Sequence, residues 1–364
     1  MVIANLKSCS KINDDDGYNA FTDLKCINGK IYVAYRSGKA HVSPSGKIIL
    51  CKSIDGGSWE IIGRLEKEGL DCRDPRLSVL DGKLYLLFFT LNHHHPNYPD
   101  FKAADSFIYE VKADDSLELV CTLSYDDLQS TFWSLGKLDE DYLIIGYNYK
   151  YGHYESRLFT SNQISGPWEL VSQINDDNIP PDAGINEVDL VVNKDKSITC
   201  FCRIDGDRFS RIAKDSKIHE KANKLQKERI NNSNLNPIKG DFCDWIGVAK
   251  SIPPYTRWDM DTHRLWLKGP RSIKYRDGYL VCGRFAKKGW SFKQINLYWY
   301  DGEFHELLEL DGGRDGSYAG LAWNPNEKNE MLISFYSDHD RFGKPFAGKA
   351  NDIWFARVEI DTPS

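Results

Sequence analysis

Short apolar, strand-like runs recur along this chain, and a turn-like pair of polar residues opens most of them. NGKIYVAYR ends at Arg36, DGKLYLLFF at Phe89, DEDYLIIGYN at Asn148, DKSITCFCR at Arg203, DGYLVCGR at Arg284 and NEMLISFY at Tyr336. Successive endpoints lie 53, 59, 55, 81 and 52 residues apart. Around each apolar run the same package repeats. A more polar strand follows, then a turn containing Trp or Gly, then an outer strand such as SWEIIGRL, PWELVSQI or WYDGEFHELLEL. A repeat of about 50 residues is the size of a four-stranded propeller blade. The pattern therefore predicts an all-β fold, a six-bladed β-propeller of four-stranded antiparallel blades, as one domain over 1–364.

The long fourth gap calls for an insertion, which residues 206–240 supply. SRIAKDSKIHEKANKLQKERINNSN, 210–234, lacks Gly and Pro and carries a thin apolar stripe of Ile212, Ile218, Ala222 and Leu225. That spacing reads as a helix, either a solvated surface helix or a lid over the propeller face.

Composition narrows the function classes. The net charge of −6 argues against a broad grip on nucleic acid, which needs clustered positive charge. Aromatic residues make up 13% of the chain and Met only 3 residues, which suits strands and also carbohydrate contact. No apolar run approaches the ~20 residues of a membrane span, and no signal segment is read at the start, so a cytoplasmic protein without membrane partners is expected. The 9 Cys are scattered without a metal or disulfide spacing. His93-His94-His95 reads as a rim loop, since consecutive histidines do not face one ion. Neither metal nor cofactor is expected, and the oligomeric state is not legible.

Ser53-Ile54-Asp55-Gly56-Gly57-Ser58-Trp59 resembles the Asp-box of sialidase-like propellers with one residue missing before the Trp, and Ser161–Trp168 is a degenerate second copy. With that anchor the chain, over roughly 17–359, resembles a divergent sialidase (neuraminidase) superfamily propeller. The resemblance implies a glycoside hydrolase with a Tyr nucleophile, a Glu that activates it, and arginines that hold a substrate carboxylate. Tyr318, in GRDGSYAGLAW, matches the Tyr; Glu187 and Arg203, sixteen residues apart, match the Glu and a binding Arg. The segment that carries the first Arg in such enzymes reads Ala20-Phe21-Thr22-Asp23-Leu24 here, so that Arg is absent and Asp23 becomes a candidate acid. His41 stands twelve residues before Ser53, where the usual acid is an Asp. The second blade opens Cys72-Arg73-Asp74-Pro75-Arg76, adding Arg73 and Asp74, and the third Arg has two candidates, Arg264 and Arg271.

Physical chemistry supports such a set. An oxocarbenium-like transition state needs a nucleophile or stabiliser on one face and an acid on the other, and a neutral Tyr avoids the repulsion between a carboxylate and an anionic sugar. Arginine binds carboxylates through paired hydrogen bonds, and Arg36, Arg73, Arg203 and Arg271 all fall near inner-strand ends. The expected function is hydrolysis of an acidic or polar sugar, with Tyr318, Glu187, Asp74, His41 and Asp23 as catalytic candidates. A catalytically inactive carbohydrate-binding propeller and a protein-interaction scaffold are the alternatives.

Overall fold

The computed structural model describes residues 2–13, 15–92, 102–124, 131–150, 153–174, 184–205, 245–286, 293–341 and 350–361. The expected helix at 206–240 and the His93–His95 tract lie outside them. The chain is a six-bladed β-propeller whose blades are four-stranded antiparallel sheets.

Contacts sort the chain into two compact units, Met1–Leu123 with Lys268–Ser364, and Ser124–Leu267. In the first, strand β1 (Ile3–Lys11) precedes a blade made of β2 (Tyr18–Ile27), β3 (Lys30–Gly38), β4 (Lys47–Ser53) and β5 (Glu60–Leu65). The next blade is β6 (Asp71–Leu80), β7 (Lys83–Asn92), β8 (Lys102–Val111) and β9 (Leu117–Leu123). The second unit holds β10 (Thr131–Leu138) to β13 (Glu169–Ile174) through β11 (Asp141–Lys150) and β12 (His153–Ser161). Its other blade is β14 (Gly184–Val192), β15 (Ile198–Asp205), β16 (Ile246–Ser251) and β17 (Asp259–His263). The first unit resumes with β18 (Leu267–Tyr275), β19 (Gly278–Phe285), β20 (Gln294–Tyr300) and β21 (Phe304–Leu310). It ends with β22 (Gly316–Trp323), β23 (Glu330–Ser337) and β24 (Asp352–Asp361), and β1 pairs antiparallel with β24 to complete that blade. The six apolar runs are thus the second strands of the six blades.

Apolar faces of neighbouring blades meet in three clusters. Tyr32, Leu50, Leu77, Leu86 and Phe88 fill one; Leu297, Leu321, Ile333, Phe335 and Val358 fill a second; Ile145, Leu158, Val188, Cys200 and Met260 fill the third, inside the second unit. Full burial of each such side chain contributes roughly 1.5–3 kcal/mol, which holds sheets face to face without staples. The eight described cysteines are free. Burial pushes the Cys51, Cys72 and Cys202 thiols up to about 12, so they pack as apolar groups.

The turn at Ser53–Trp59 is held by its own side chains. Gly56 N donates to Ser53 Oγ at 2.8 Å and Gly57 N to Asp55 Oδ1 at 2.8 Å. Trp59 meets Phe355 of β24 edge-to-face, 5.2 Å between centroids.

Four of the innermost strands, β2, β6, β14 and β22, share one irregularity. Their pairing with the second strands slips between Ala20 and Asp23, Arg73 and Arg76, Asn186 and Asp189, and Ser317 and Gly320. Each slip is a bulge with one extra residue, which re-aims a side chain. The first residue inside each bulge has positive φ: Phe21 57°, Asp74 49°, Glu187 46° and Tyr318 40°. Gly269 of β18, which like Asp74 precedes Pro and Arg, has φ 56°. For a non-glycine residue this conformation costs about 1–3 kcal/mol and persists where the surroundings over-determine it.

Candidate functional site

Phe21 lies at the centre of a cluster in the first unit. Its bulge turns the ring toward His41, 5.3 Å between centroids, Tyr318 at 5.4 Å and Tyr336 at 5.7 Å. The Arg73 guanidinium lies over its face, 4.5 Å from the centroid, a cation–π contact worth about 0.5–2 kcal/mol. An apolar ring thus occupies the stretch where the expected first Arg is missing. Tyr318 stacks on Tyr336 at 6.4 Å. Its ring also rests on Gly269, where an added Cβ would stand 2.7 Å from Tyr318 Cδ1.

Asp71, at the start of β6, ties two arginines to the His41 loop. Arg36 Nε donates to Asp71 Oδ1 at 2.7 Å, while Arg73 Nη1 at 3.1 Å and Ser43 N at 3.0 Å donate to Oδ2. Arg36 Nη1 donates to Ala40 O at 2.9 Å and Arg73 Nη1 to His41 O at 2.6 Å, which fixes the loop that carries the imidazole. Arg73 Nε is 3.6 Å from Asp74 Oδ2. Burial, which favours the neutral form, is outweighed at Arg73 by Asp74, Asp71 and Tyr318, so its pKa is raised.

His41 is half exposed, and its imidazole is held neutral. Its pKa is pushed down to about 3 by desolvation first, then by Arg73, Arg36 and Arg284. Solvent access offsets part of the desolvation; the three guanidiniums act regardless. His41 Nδ1 is 2.6 Å from Tyr18 Oη and 3.4 Å from Asp315 Oδ2. Tyr18 Oη in turn donates to Asp315 Oδ2. Tyr336 Oη donates to Asp315 Oδ1 at 3.3 Å and Asn351 Nδ2 to Oδ2 at 3.4 Å. The loop bearing Asp315 is positioned by Gly313, whose added Cβ would fall 1.8 Å from Asp338 Oδ1, so the backbone reaches that carboxylate only without a side chain. Burial, with Asp338 adding repulsion, pushes the Asp315 carboxyl up to about 6, against the bonds from Asn351 and Tyr336.

Asp23 stands apart from this cluster. It is fully buried and accepts Leu24 N, Leu77 N and Arg271 Nη2, each at 2.8 Å. Arg271 Nη2 also donates to Leu77 O at 2.8 Å. These bonds knot the innermost strands β2, β6 and β18. In the second unit, Glu187 Oε1 accepts from Arg203 Nη1 at 2.5 Å, and Arg203 Nη2 is 3.0 Å from Asp205 Oδ2.

Of the residues expected from the sequence, the structure brings Arg36, Arg73, Asp74, His41 and Tyr318 together in the first unit. It joins Asp23 to Arg271 at a knot, and pairs Glu187 with Arg203 in the second unit. All four expected binding arginines are engaged by carboxylates. Each guanidinium has five N–H donors, enough to bond a further acceptor. Sequence reasoning missed Tyr18, Phe21, Asp71, Asp315 and Tyr336. Asp315 lies within a segment already singled out, three residues before Tyr318, and Asp71 directly precedes another, two residues before Arg73, but the partners of each are visible only after folding. Among the described residues no helix is long and apolar enough to cross a membrane, and no group of three or more His, Cys, Asp or Glu could hold a metal ion.

No protein-family model matches the chain, and no curated protein does. Solved structures do. A protein of unknown function from Dyadobacter fermentans aligns at TM-score 0.73 and 14% identity, over 98% of this chain and 99% of the other. The α-L-arabinofuranosidase Arb93A of Fusarium graminearum aligns at 0.63 and 12%, over 97% and 98%. The Trypanosoma rangeli sialidase aligns at 0.62 and 10%, over 94% of this chain and 55% of the sialidase. The fold is the six-bladed propeller found in sialidases. This chain spans about half the length of that sialidase and nearly the whole of the arabinofuranosidase.

Proposed function

We propose that the chain is a glycoside hydrolase that cleaves an acidic or polar sugar at the Phe21 cluster. One observation carries the reading: Tyr318, the residue that the sialidase resemblance assigns as nucleophile, sits in a positive-φ bulge beside Arg73, Tyr336 and Phe21. A bulky aromatic side chain in that backbone conformation is costly, and such outliers cluster at catalytic sites. The propeller enzymes with the same fold act on glycosides by their names, which supports the same reaction class here.

In this reading the Tyr318 oxygen stabilises the positive charge that develops at the anomeric carbon as the glycosidic bond opens. Arg73, fixed by Asp71, donates remaining N–H groups to hydroxyl or carboxylate oxygens of the sugar, while the fully buried Arg36 holds the His41 loop through Ala40 O. His41 faces the leaving group, and Asp74 orients Arg73. Asp23 and Arg271 hold the innermost strands in place. The test is hydrolysis of a panel of aryl glycosides, with α-sialosides and α-L-arabinofuranosides as its anionic and neutral arms. Turnover of a member of the panel supports the reading and reports the sugar class. An inert panel, together with sugar binding at the cluster, supports the inactive lectin instead.

A further inference from the structure

We propose that Asp315, Tyr18 and His41 form a proton relay, with its inner end at the Asp315 carboxylate and its outlet at His41 Nε2. The inference rests on the glycosidase reading for its use, though not for its existence.

The three groups meet at the Tyr18 hydroxyl, with His41 Nδ1 also 3.4 Å from Asp315 Oδ2. Tyr18 Oη lies 2.6 Å from His41 Nδ1 and donates to Asp315 Oδ2. A phenol has one proton, so its two neighbours determine each other's state. When Asp315 is ionised, Tyr18 O–H donates to the carboxylate and His41 Nδ1–H donates to the Tyr18 oxygen. Nε2 is then a bare acceptor. When Asp315 is protonated, its O–H donates to the Tyr18 oxygen, Tyr18 O–H donates to Nδ1, and Nε2 carries the proton. The two states differ by one proton and by the tautomer of a neutral imidazole.

This resolves a difficulty at His41. The imidazole stands where the resemblance places the acid, yet an imidazolium there is opposed by desolvation and by Arg73, Arg36 and Arg284. A histidine that never keeps the charge escapes that opposition. The proton that Nε2 gives up is replaced from Asp315 through Tyr18, and the negative charge develops on Asp315 instead. The surroundings of Asp315 suit that task. Asp338 repels its charge, Tyr336 and Asn351 donate to it, and burial brings it to about 6, near neutrality. Tyr336, raised well above its ordinary value by burial and by Asp315, stays protonated and remains a donor. Asp71 and Tyr18 are the other groups that face the imidazole, and Asp71 is held by Arg36 and Arg73.

In the forward step the glycosidic C–O bond breaks and its electron pair stays on the leaving oxygen, which takes the Nε2 proton. The Tyr18 proton moves to Nδ1 and the Asp315 proton to the Tyr18 oxygen. Water then bonds to the anomeric carbon, and its proton returns to Asp315 by the reverse path.

The test needs no substrate. Imidazole ¹⁵N shifts of His41 in the full-length labelled protein are followed across roughly pH 4.5 to 7.5. The relay predicts that the protonated nitrogen passes from Nε2 to Nδ1 with a midpoint near 6, the value to which Asp315 is raised, with no imidazolium. The exchange disappears in Asp315→Asn and in Tyr18→Phe, so a folding defect in one variant leaves the other to decide. An imidazolium in this range, one tautomer throughout in the unaltered protein, or an exchange that survives either substitution overturns the relay. Tautomer exchange without turnover on the glycoside panel leaves the relay standing and refutes the glycosidase reading; turnover without exchange does the reverse.

Discussion

Arg36 Nε donates to Asp71 Oδ1 across 2.7 Å, with both side chains fully removed from water. Asp71 also accepts from Arg73 and from the backbone of Ser43, so one carboxylate fixes two guanidiniums and the His41 loop. Asp71→Asn leaves Arg36 buried without its ion-pair partner, while Arg73 keeps Asp74. Breaking a buried pair by removing one partner costs about 3–5 kcal/mol. Denaturant unfolding of the variant is expected to show a loss of that size; a loss below about 1 kcal/mol, the scale of an exposed pair, contradicts the buried arrangement.

Gly269 carries the Tyr318 ring. Gly269→Ala places a Cβ 2.7 Å from that ring at a backbone φ of 56°. It therefore adds a steric clash to a strain of roughly 1–2 kcal/mol. Gly82→Ala has a comparable φ of 70° with nothing within 4 Å of the new Cβ, so it carries the strain alone. Thermal melts are expected to place Gly269→Ala below Gly82→Ala, and glycoside turnover to fall in the first and persist in the second. Equal melts and equal turnover contradict the contact.

The second strands were legible because they are buried on both faces. Strands β15 and β23 are buried at every position, so they read as largely apolar runs rather than as alternating ones. The innermost strands hide their depth. β6 is buried from Asp71 through Ser78 yet reads DCRDPRLS, because Asp71 and Arg73 bond to Arg36, Ser43 and His41 of the preceding blade rather than to water. Arg36, Arg73, Asp74, His41 and Tyr318 were found because they sit at blade positions that a motif marks. Asp315 and Tyr18 were not, since 297 residues separate them and the closing blade brings them together. The pairing of β1 with β24 is equally non-local. Asp23 was legible as an unusual carboxylate, but its bonds to Leu77 and Arg271 were not.

The raised Asp315 carboxyl makes a signed prediction about stability. Its folded pKa of about 6 exceeds the ordinary 3.8, so the folded state holds the proton more tightly than the unfolded chain. Stability from this group is present below about 4 and is lost as pH rises through about 6, by an amount on the order of 3 kcal/mol. His41 has the opposite sign: its lowered pKa makes stability rise with pH between about 3 and 6.5. The two trends offset each other in the unaltered protein. Asp315→Asn removes one of them, so its stability relative to the parent should improve as pH is raised from about 4 to about 7. A relative stability that is flat, or that worsens over this range, contradicts the raised carboxyl.

Tyr318→Phe addresses the central claim most directly. The substitution keeps the stacking on Tyr336 and the contact with Phe21 while removing the hydroxyl. Initial rates of glycoside hydrolysis are compared for the two proteins after matched melting curves confirm that both are folded. The account predicts turnover by the parent and a fall of at least about 100-fold in kcat for Tyr318→Phe, with substrate binding retained. Equal turnover by the two proteins would contradict Tyr318 as the group at the reacting carbon.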